Sequence, residues 1–177
     1  MAHREQQEFI RFVRDRFPFF FRDQKVVEIG SLDINGSVRG FFQGGFYVGV
    51  DVGPGPGVDV VCEGQNYPGA DASFDVVISC ECMEHNPHWK ETWHNMLRLC
   101  RPGGLVIMTC ATTGRPEHGT TRTTPHDSPL TVGKGWDYYL NLTEEDFVGA
   151  TPEGAFRESG YSANPRSKDL YFWGIRS

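Results

Sequence analysis

Three acids in this chain follow short apolar runs, and a glycine-bearing turn sits beside the first of them. Residues 25–37 read K-V-V-E-I-G-S-L-D-I-N-G-S. Val26, Val27 and Ile29 suit a strand buried on both faces. Gly30 and Gly36 then provide backbone that bends sharply and lets a ligand approach closely. A helix starting near Ser37 would aim its first amides and its positive end at that turn, where a carboxylate or phosphate would rest. Asp51 closes the next apolar run, 46–50, at about the 20-residue spacing from a glycine turn at which an acid accepts both hydroxyls of a ribose. The same aspartate also fits a turn into the G-P-G-P-G stretch at 53–57, but its pairing with the upstream turn favours the ligand. Glu63 follows a third run, 58–61. A carboxylate there can accept from an exocyclic amine while a neighbouring amide donates to a ring nitrogen, and its plain alternative is a solvated loop acid. Together these residues describe a nucleotide-type cofactor site.

The elements that must hold them follow from pattern. Residues 4–17 carry Phe9, Ile10, Phe12, Val13 and Phe17 at helical spacing, which predicts an amphipathic covering helix ended by Pro18. A short helix is expected at 37–42, and strands at 46–51, 58–61 and 74–79. Residues 87–100, with Trp89, Trp93, Met96, Leu97 and Leu99, predict a second helix, closed by R-P-G-G at 101–104. A strand at 105–110 comes next. A long Thr-, Gly-, Pro- and His-bearing loop occupies 111–142. Thr143 caps a helix with acids in its first turn, a Gly-interrupted helical stretch is expected over 147–160, and an aromatic strand over 169–175. Alternating strands and helices point to a parallel sheet with right-handed crossovers.

Composition narrows the rest. The 177 residues suit one domain, with 1–24 a covering helix, 25–110 the cofactor-binding core, 111–142 an acceptor-side loop and 143–177 a C-terminal helix and strand. A net charge of −6 argues against a broad phosphate-binding surface, so no nucleic-acid partner is expected. The charged N-terminus has no apolar leader, the apolar runs fall short of the ~18 residues that span a membrane, and a cytoplasmic location without membrane contact is expected. Cys62, Cys80, Cys82, Cys100 and Cys110 are odd in number and mostly in apolar contexts, which favours reduced thiols.

In their joint order these signals resemble the class I S-adenosylmethionine-dependent methyltransferases. Glu28-Ile29-Gly30 through Gly36 looks like the first motif of that family, Val50-Asp51 the second, 61–64 the third and Phe74-Asp75-Val76-Val77 with Glu84-His85 the fourth. L-C-R-P-G-G-L at 99–105 resembles the turn after the following helix. The match covers residues 26–110. The departure is in the first motif, where Ser31 to Asn35 separate glycines that the family places at alternate positions. The absence of G-x-G-x-x-G also argues against an NAD-type site. The resemblance implies an α/β fold, Rossmann-like and doubly wound, with a mostly parallel sheet, helices on both faces and an antiparallel last strand. It further implies S-adenosyl-L-methionine as co-substrate. Glu28, Gly30, Ser31, Asp33 and Gly36 would hold the methionine part. Asp51 and Val52 would meet the ribose, Glu63 and Gly64 the adenine, and Cys80 and Glu81 would form the floor near the sulfonium.

Methyl transfer from a sulfonium is an in-line displacement that needs placement above all. An acceptor that loses a proton also needs a base nearby. The candidates are His85, His118, His126 and Asp127, although His85 equally suits a helix cap and exposure is the commoner outcome for the loop histidines. His118, His126 and Asp127 lack tight ligand spacing, so no metal is expected. Trp136, Tyr138 and Tyr139 suit core packing or stacking on a flat acceptor. The expected activity is methyl transfer to a small-molecule acceptor. The alternative is a non-catalytic domain that binds S-adenosylmethionine or a nucleoside and acts through a partner.

Overall fold

A computed structural model of the protein describes residues 4–177. The N-terminal expectation begins on residues 1–3, which lie outside the described residues. Helix α1 (Arg4–Arg16) forms where Phe9, Ile10 and Val13 line one stripe and charged side chains the other. Proline cannot continue a helix, and Pro18–Phe21 becomes a 3₁₀ turn that sends Phe20 and Phe21 inward.

Seven strands make one sheet: β1 (Lys25–Ile29), β2 (Phe46–Asp51), β3 (Val60–Val61), β4 (Phe74–Cys80), β5 (Cys100–Ala111), β6 (Phe156–Asn164) and β7 (Asp169–Arg176). Their order is β3-β2-β1-β4-β5-β7-β6. The first five strands pair in parallel, and β7 runs antiparallel to both β5 and β6. Strand order reverses between β1 and β4, so the crevice outside their carboxyl ends is where an α/β sheet takes a ligand.

Successive strand residues point to opposite faces, which is why doubly covered strands read as unbroken apolar runs. Val26 and Val76 join Ile78, Leu105 and Ile107 under Phe9, Ile10 and Val13 of α1. Their neighbours Val27, Val77, Val106 and Met108 face the other way, toward α2 (Trp89–Leu99) and α4 (Glu144–Ala150). Trp93 and Phe147, both fully buried, lock those two helices together with ring centroids 5.2 Å apart. The mostly parallel, doubly wound sheet is therefore as the sequence suggested. So is the cap on α4: Thr143 accepts from the Asp146 amide and Asp146 accepts from the Thr143 amide.

Four expectations need correction. Residues 37–42 hold only a 3₁₀ turn, Arg39–Phe41, because Gly44 and Gly45, both at positive φ, turn the chain into β2 within a few residues. No α-helix therefore follows the β1 turn directly. Strand β3 shortens to two residues because the Asp59 carboxylate takes the Gly49 amide at 2.7 Å in place of a ladder carbonyl. R-P-G-G at 101–104 does not close α2 outside the sheet. It lies within β5, opposite a register shift at Phe74/Val76. The helical stretch expected over 147–160 stops at Ala150. Pro152 and Gly154 (φ +71°) break it, and residues 156–164 pair with β7 as the edge strand β6.

Candidate active site

The β1 turn is built by docking rather than by a helix. The Gly30 and Ser31 amides both donate to the Val50 carbonyl, at 2.8 and 3.2 Å, tying the turn to the end of β2. Asp33 donates its amide to the Pro56 carbonyl (2.8 Å), and its carboxylate accepts from the Gly36 amide (2.7 Å). The long spacer from Ser31 to Asn35 is thus an Asx turn seated on the G-P-G-P-G loop. Close packing explains two of that loop's glycines: a Cβ on Gly57 would stand 2.6 Å from the Ser31 carbonyl oxygen, and one on Gly55 2.3 Å from Leu32. The buried Ser31 hydroxyl has no hydrogen-bond partner.

Asp51, half-buried at the end of β2, accepts from the Leu32 amide through Oδ2 (2.9 Å) and from the Val52 amide through Oδ1 (2.7 Å). Burial raises its pKa, and those two amides oppose the rise. Each oxygen keeps a lone pair for a further donor. Asp51, Gly30, Leu32, Glu81, Cys82, His85 and Asp127 line one cleft at the switch point. A second cavity of about 20 Å³ opens behind the turn against Glu28, Gly30, Ser31, Gly36 and Cys80.

Glu28 is buried and accepts from the Tyr47 hydroxyl at 2.7 Å. Burial is the largest influence and pushes its pKa up to about 7, while the Tyr47 hydrogen bond pulls the other way. Tyr47 went unnoticed in the sequence, yet the register supplies the signal. Tyr47 pairs with Val26 and Gly49 with Glu28, so Tyr47 and Glu28 share a face.

At the end of β4, Glu81 holds φ +51°, a conformation rare for residues other than glycine, and its amide donates to the Thr109 carbonyl. Strain of this kind concentrates at functional sites. The 3₁₀ turn Met83–His85 follows and puts Glu84 and His85 inside the protein. Burial and the neighbouring His118 drive the His85 pKa down to about 3, so the ring is neutral. Cys80 and Cys82 have their thiol pKa values pushed well above the ordinary range by burial. They are spacers rather than nucleophiles.

Residues 111–142 are not structureless. Arg115 anchors their start by donating to the buried Asp169 (2.9 Å) and to the Ser167 carbonyl. A 3₁₀ turn, Pro125–Asp127, and helix α3 (Pro129–Gly133) then cross the cleft. Leu130 sits against Gly53, where any Cβ would come within 2.8 Å of it. Lys134 pairs with Glu63 at 2.8 Å. This crossing leaves a cavity of about 50 Å³, against the ~300 Å³ lower end of ligand pockets.

Of the sequence-predicted residues, Gly30, Asp51, Glu81, His85 and Asp127 share the cleft, and Glu28, Ser31, Gly36 and Cys80 lie behind its turn. Val52 contributes its amide to Asp51, and Asp33 shapes the spacer. Glu63 is engaged by Lys134, Gln65 and Asn66. Gly64 is a packing glycine, with Ile29 and Thr92 filling the place of a Cβ. His118 faces His85 edge-on, ring centroids 4.9 Å apart. His126 is largely exposed, 3.7 Å from Asp127.

Residues 45–108 match the family described as a methyltransferase domain. An uncharacterized methyltransferase of Mycobacterium marinum is 32% identical over 105 residues, 49% of this chain and 41% of its own length. Another, from Mycobacterium sp. strain KMS, is 37% identical over 93 residues, covering 44% of this chain and 36% of its own. The chain thus spans less than half the length of these relatives. Among solved structures, phosphoethanolamine N-methyltransferase 2 of Haemonchus contortus, in complex with S-adenosyl-L-methionine, aligns with a TM-score of 0.68 at 16% identity. That alignment covers 96% of this chain and 52% of that one. The 1,6-didemethyltoxoflavin-N1-methyltransferase of Burkholderia thailandensis aligns at 0.59 and 15% identity, covering 100% of this chain and 92% of that one. At these identities the likeness shows the fold.

Proposed function

We propose that this chain is a class I S-adenosylmethionine-dependent methyltransferase, a reading supported by its similarity to a methyltransferase-domain family and to methyltransferase folds, and that it moves the sulfonium methyl of that cofactor onto a small-molecule acceptor. One observation carries the reading: at the switch point of the sheet, the Asp51 carboxylate is held by two backbone amides and keeps lone pairs toward a cleft shared with Gly30 and Glu81. The residues present suit the cofactor. Asp51 accepts the ribose hydroxyls, and the partnerless Ser31 hydroxyl and the Gly30 turn meet the amino-acid end, with Glu28 and Cys80 behind them. Gly64 and Glu63 stand on the adenine side, where Lys134 holds Glu63.

When bound, the cofactor would supply an electrophilic methyl group, which the acceptor attacks in line with the departing thioether. The acceptor would lose a proton as the new bond forms, and the Asp127 carboxylate, which lines the same cleft as Asp51, would take it. The loop at 112–131 excludes water from the cleft and forms the acceptor side. Support for a small acceptor comes from relatives of this fold named for phosphoethanolamine and didemethyltoxoflavin. The narrow cleft, with little room for an acceptor beside a cofactor, favours one competing reading, a binding domain without turnover. Transfer of labelled methyl to a metabolite extract separates the two.

Calorimetric titration with S-adenosylmethionine and S-adenosylhomocysteine tests the first step. Asp51→Ala removes hydrogen bonds to a charged acceptor; the loss of one, at ~1.5–3 kcal/mol, already weakens binding about 10- to 100-fold, so at least that loss is expected. Folded protein that binds neither compound would overturn the proposal.

A further inference from the structure

Beside the cleft, Glu84, His85 and His118 bring one donor atom each within 4.8 Å of one another. Glu84 and His85 are 0% and 4% exposed. Glu84 Oε1 accepts from the Ala111 amide (3.2 Å), whereas its Oε2 has no partner, and neither has His85 Nδ1. Burying two such atoms unpaired is costly, and native interiors rarely do it.

The backbone also sets the proton on the His118 ring. His118 Nδ1 lies 3.1 Å from the Pro116 carbonyl, which places its proton there and leaves Nε2 a lone pair. The His85 Nδ1 is buried without a partner. A carbonyl that fixes the far nitrogen of a histidine is how proteins orient metal-binding imidazoles. The His118 tautomer is assigned from this partner.

We propose that Glu84, His85 and His118 form a binding site for one divalent transition-metal ion of the zinc type, with a fourth position open to the cleft that His85 lines. Two imidazoles and one carboxylate are a borderline donor set that suits zinc and disfavours magnesium or calcium. Three protein ligands with one open position is the pattern of zinc sites that also take a substrate or water. Tetrahedral ligands about 2.0–2.2 Å from zinc stand ~3.4 Å apart, so donors within 4.8 Å of one another must close by up to ~1.4 Å. His118 supplies that movement, since it rides on the loop and the other two on the end of β4. Tyr139 packs its ring 4.9 Å from His118 and 5.6 Å from His85, walling the site on another side. That the open position takes an oxygen or nitrogen lone pair of the acceptor rests on the methyl-transfer reading; the ion site does not.

The test is zinc binding by the full chain, stripped with chelator and titrated with Zn²⁺ alone against a chromophoric competitor, without S-adenosylmethionine. Co²⁺ loading reports geometry through its visible bands. One equivalent per chain is expected. His118→Ala should weaken zinc by more than the ~10–100-fold that losing an outer partner costs and should abolish the Co²⁺ bands. His94→Ala, on α2, should change neither. Near-ultraviolet circular dichroism establishes that the His118 variant is folded, and because that residue lies on the loop it spares the core that Glu84→Gln would disturb. Failure to retain zinc, or full retention by folded His118→Ala, overturns the site and leaves a packed histidine pair. Titration with S-adenosylmethionine is scored separately, so each reading can fail alone.

Discussion

Replacing Gly30 by alanine brings two penalties that can be measured apart. Gly30 has φ +81°, a left-handed conformation that costs a residue with a Cβ ~1–2 kcal/mol. The new Cβ would also stand 2.5 Å from both Cβ and Sγ of Cys82, an overlap no rotamer change relieves because Cys82 Cβ is fixed by its backbone. Relieving such overpacking costs ~1–3 kcal/mol. The sum, ~2–5 kcal/mol, is a large share of the ~5–15 kcal/mol that stabilises a domain. Gly30 and Ser31 share the Val50 carbonyl, so a displaced turn also moves Asp51 and should weaken the cofactor. Urea unfolding of wild type, Gly30→Ala, Cys82→Gly and the double variant closes a double-mutant cycle. The steric part should return in the double variant as a favourable coupling of ~1–3 kcal/mol, leaving the ~1–2 kcal/mol of backbone strain. A Gly30→Ala protein within ~0.5 kcal/mol of wild type, or a coupling of zero, would refute this account of the turn.

Three other expectations follow from side chains around the cleft. Lys134→Ala removes the ion pair that helps keep α3 over Gly53. A half-exposed pair is worth ~0.2–1 kcal/mol, so S-adenosylmethionine should bind up to about 5-fold tighter because opening costs less; weaker binding in calorimetry counts against α3 as the obstruction. Glu28 has a folded pKa of about 7 against an ordinary 4.5, so the folded state binds the extra proton between those values. Its contribution is complete below pH 4.5 and lost as pH rises to 7, by about 3 kcal/mol. The stability difference between wild type and Glu28→Gln should change by that amount across this window, and a flat difference contradicts the burial of Glu28. Arg115→Ala removes a charged partner from Asp169, which is 0% exposed. A loss of ~3 kcal/mol or more is expected in urea unfolding, and a change under ~1 kcal/mol would show that the pair does not anchor the loop.

What could be read in the residues, and what could not, follows from the range over which each constraint acts. The strands β1, β2, β4 and β5 were legible because burial on both faces demands runs such as V-V-E-I and V-V-I-S. Asp51 was legible because a strand end and a glycine turn bracket it in sequence. Strand β6 was not, because an edge strand that is largely exposed carries F-R-E-S-G-Y-S-A-N, with no apolar face to announce it. The helix expected at 37–42 failed for a reason visible only in three dimensions. The spacer from Ser31 to Asn35 spends amides on the Val50 and Pro56 carbonyls and on the Asp51 carboxylate, so the turn is held without a helix behind it.

The side chains around His85 were the hardest to read, for a related reason. Glu84 and His85 are adjacent, but His118 reaches them only because Arg115 pins the intervening loop to β7, on the far side of β5. Ligand spacing along the chain finds sites in which one turn or helix carries two donors to the same ion. Here the two neighbours come from the end of a parallel strand and the third from a loop anchored elsewhere in the sheet. The pattern that marks the group is therefore not spacing but satisfaction: two buried atoms without partners, and a His118 ring whose far nitrogen is held by the Pro116 carbonyl. That pattern exists only once the sheet has closed, so folding itself assembles the donors.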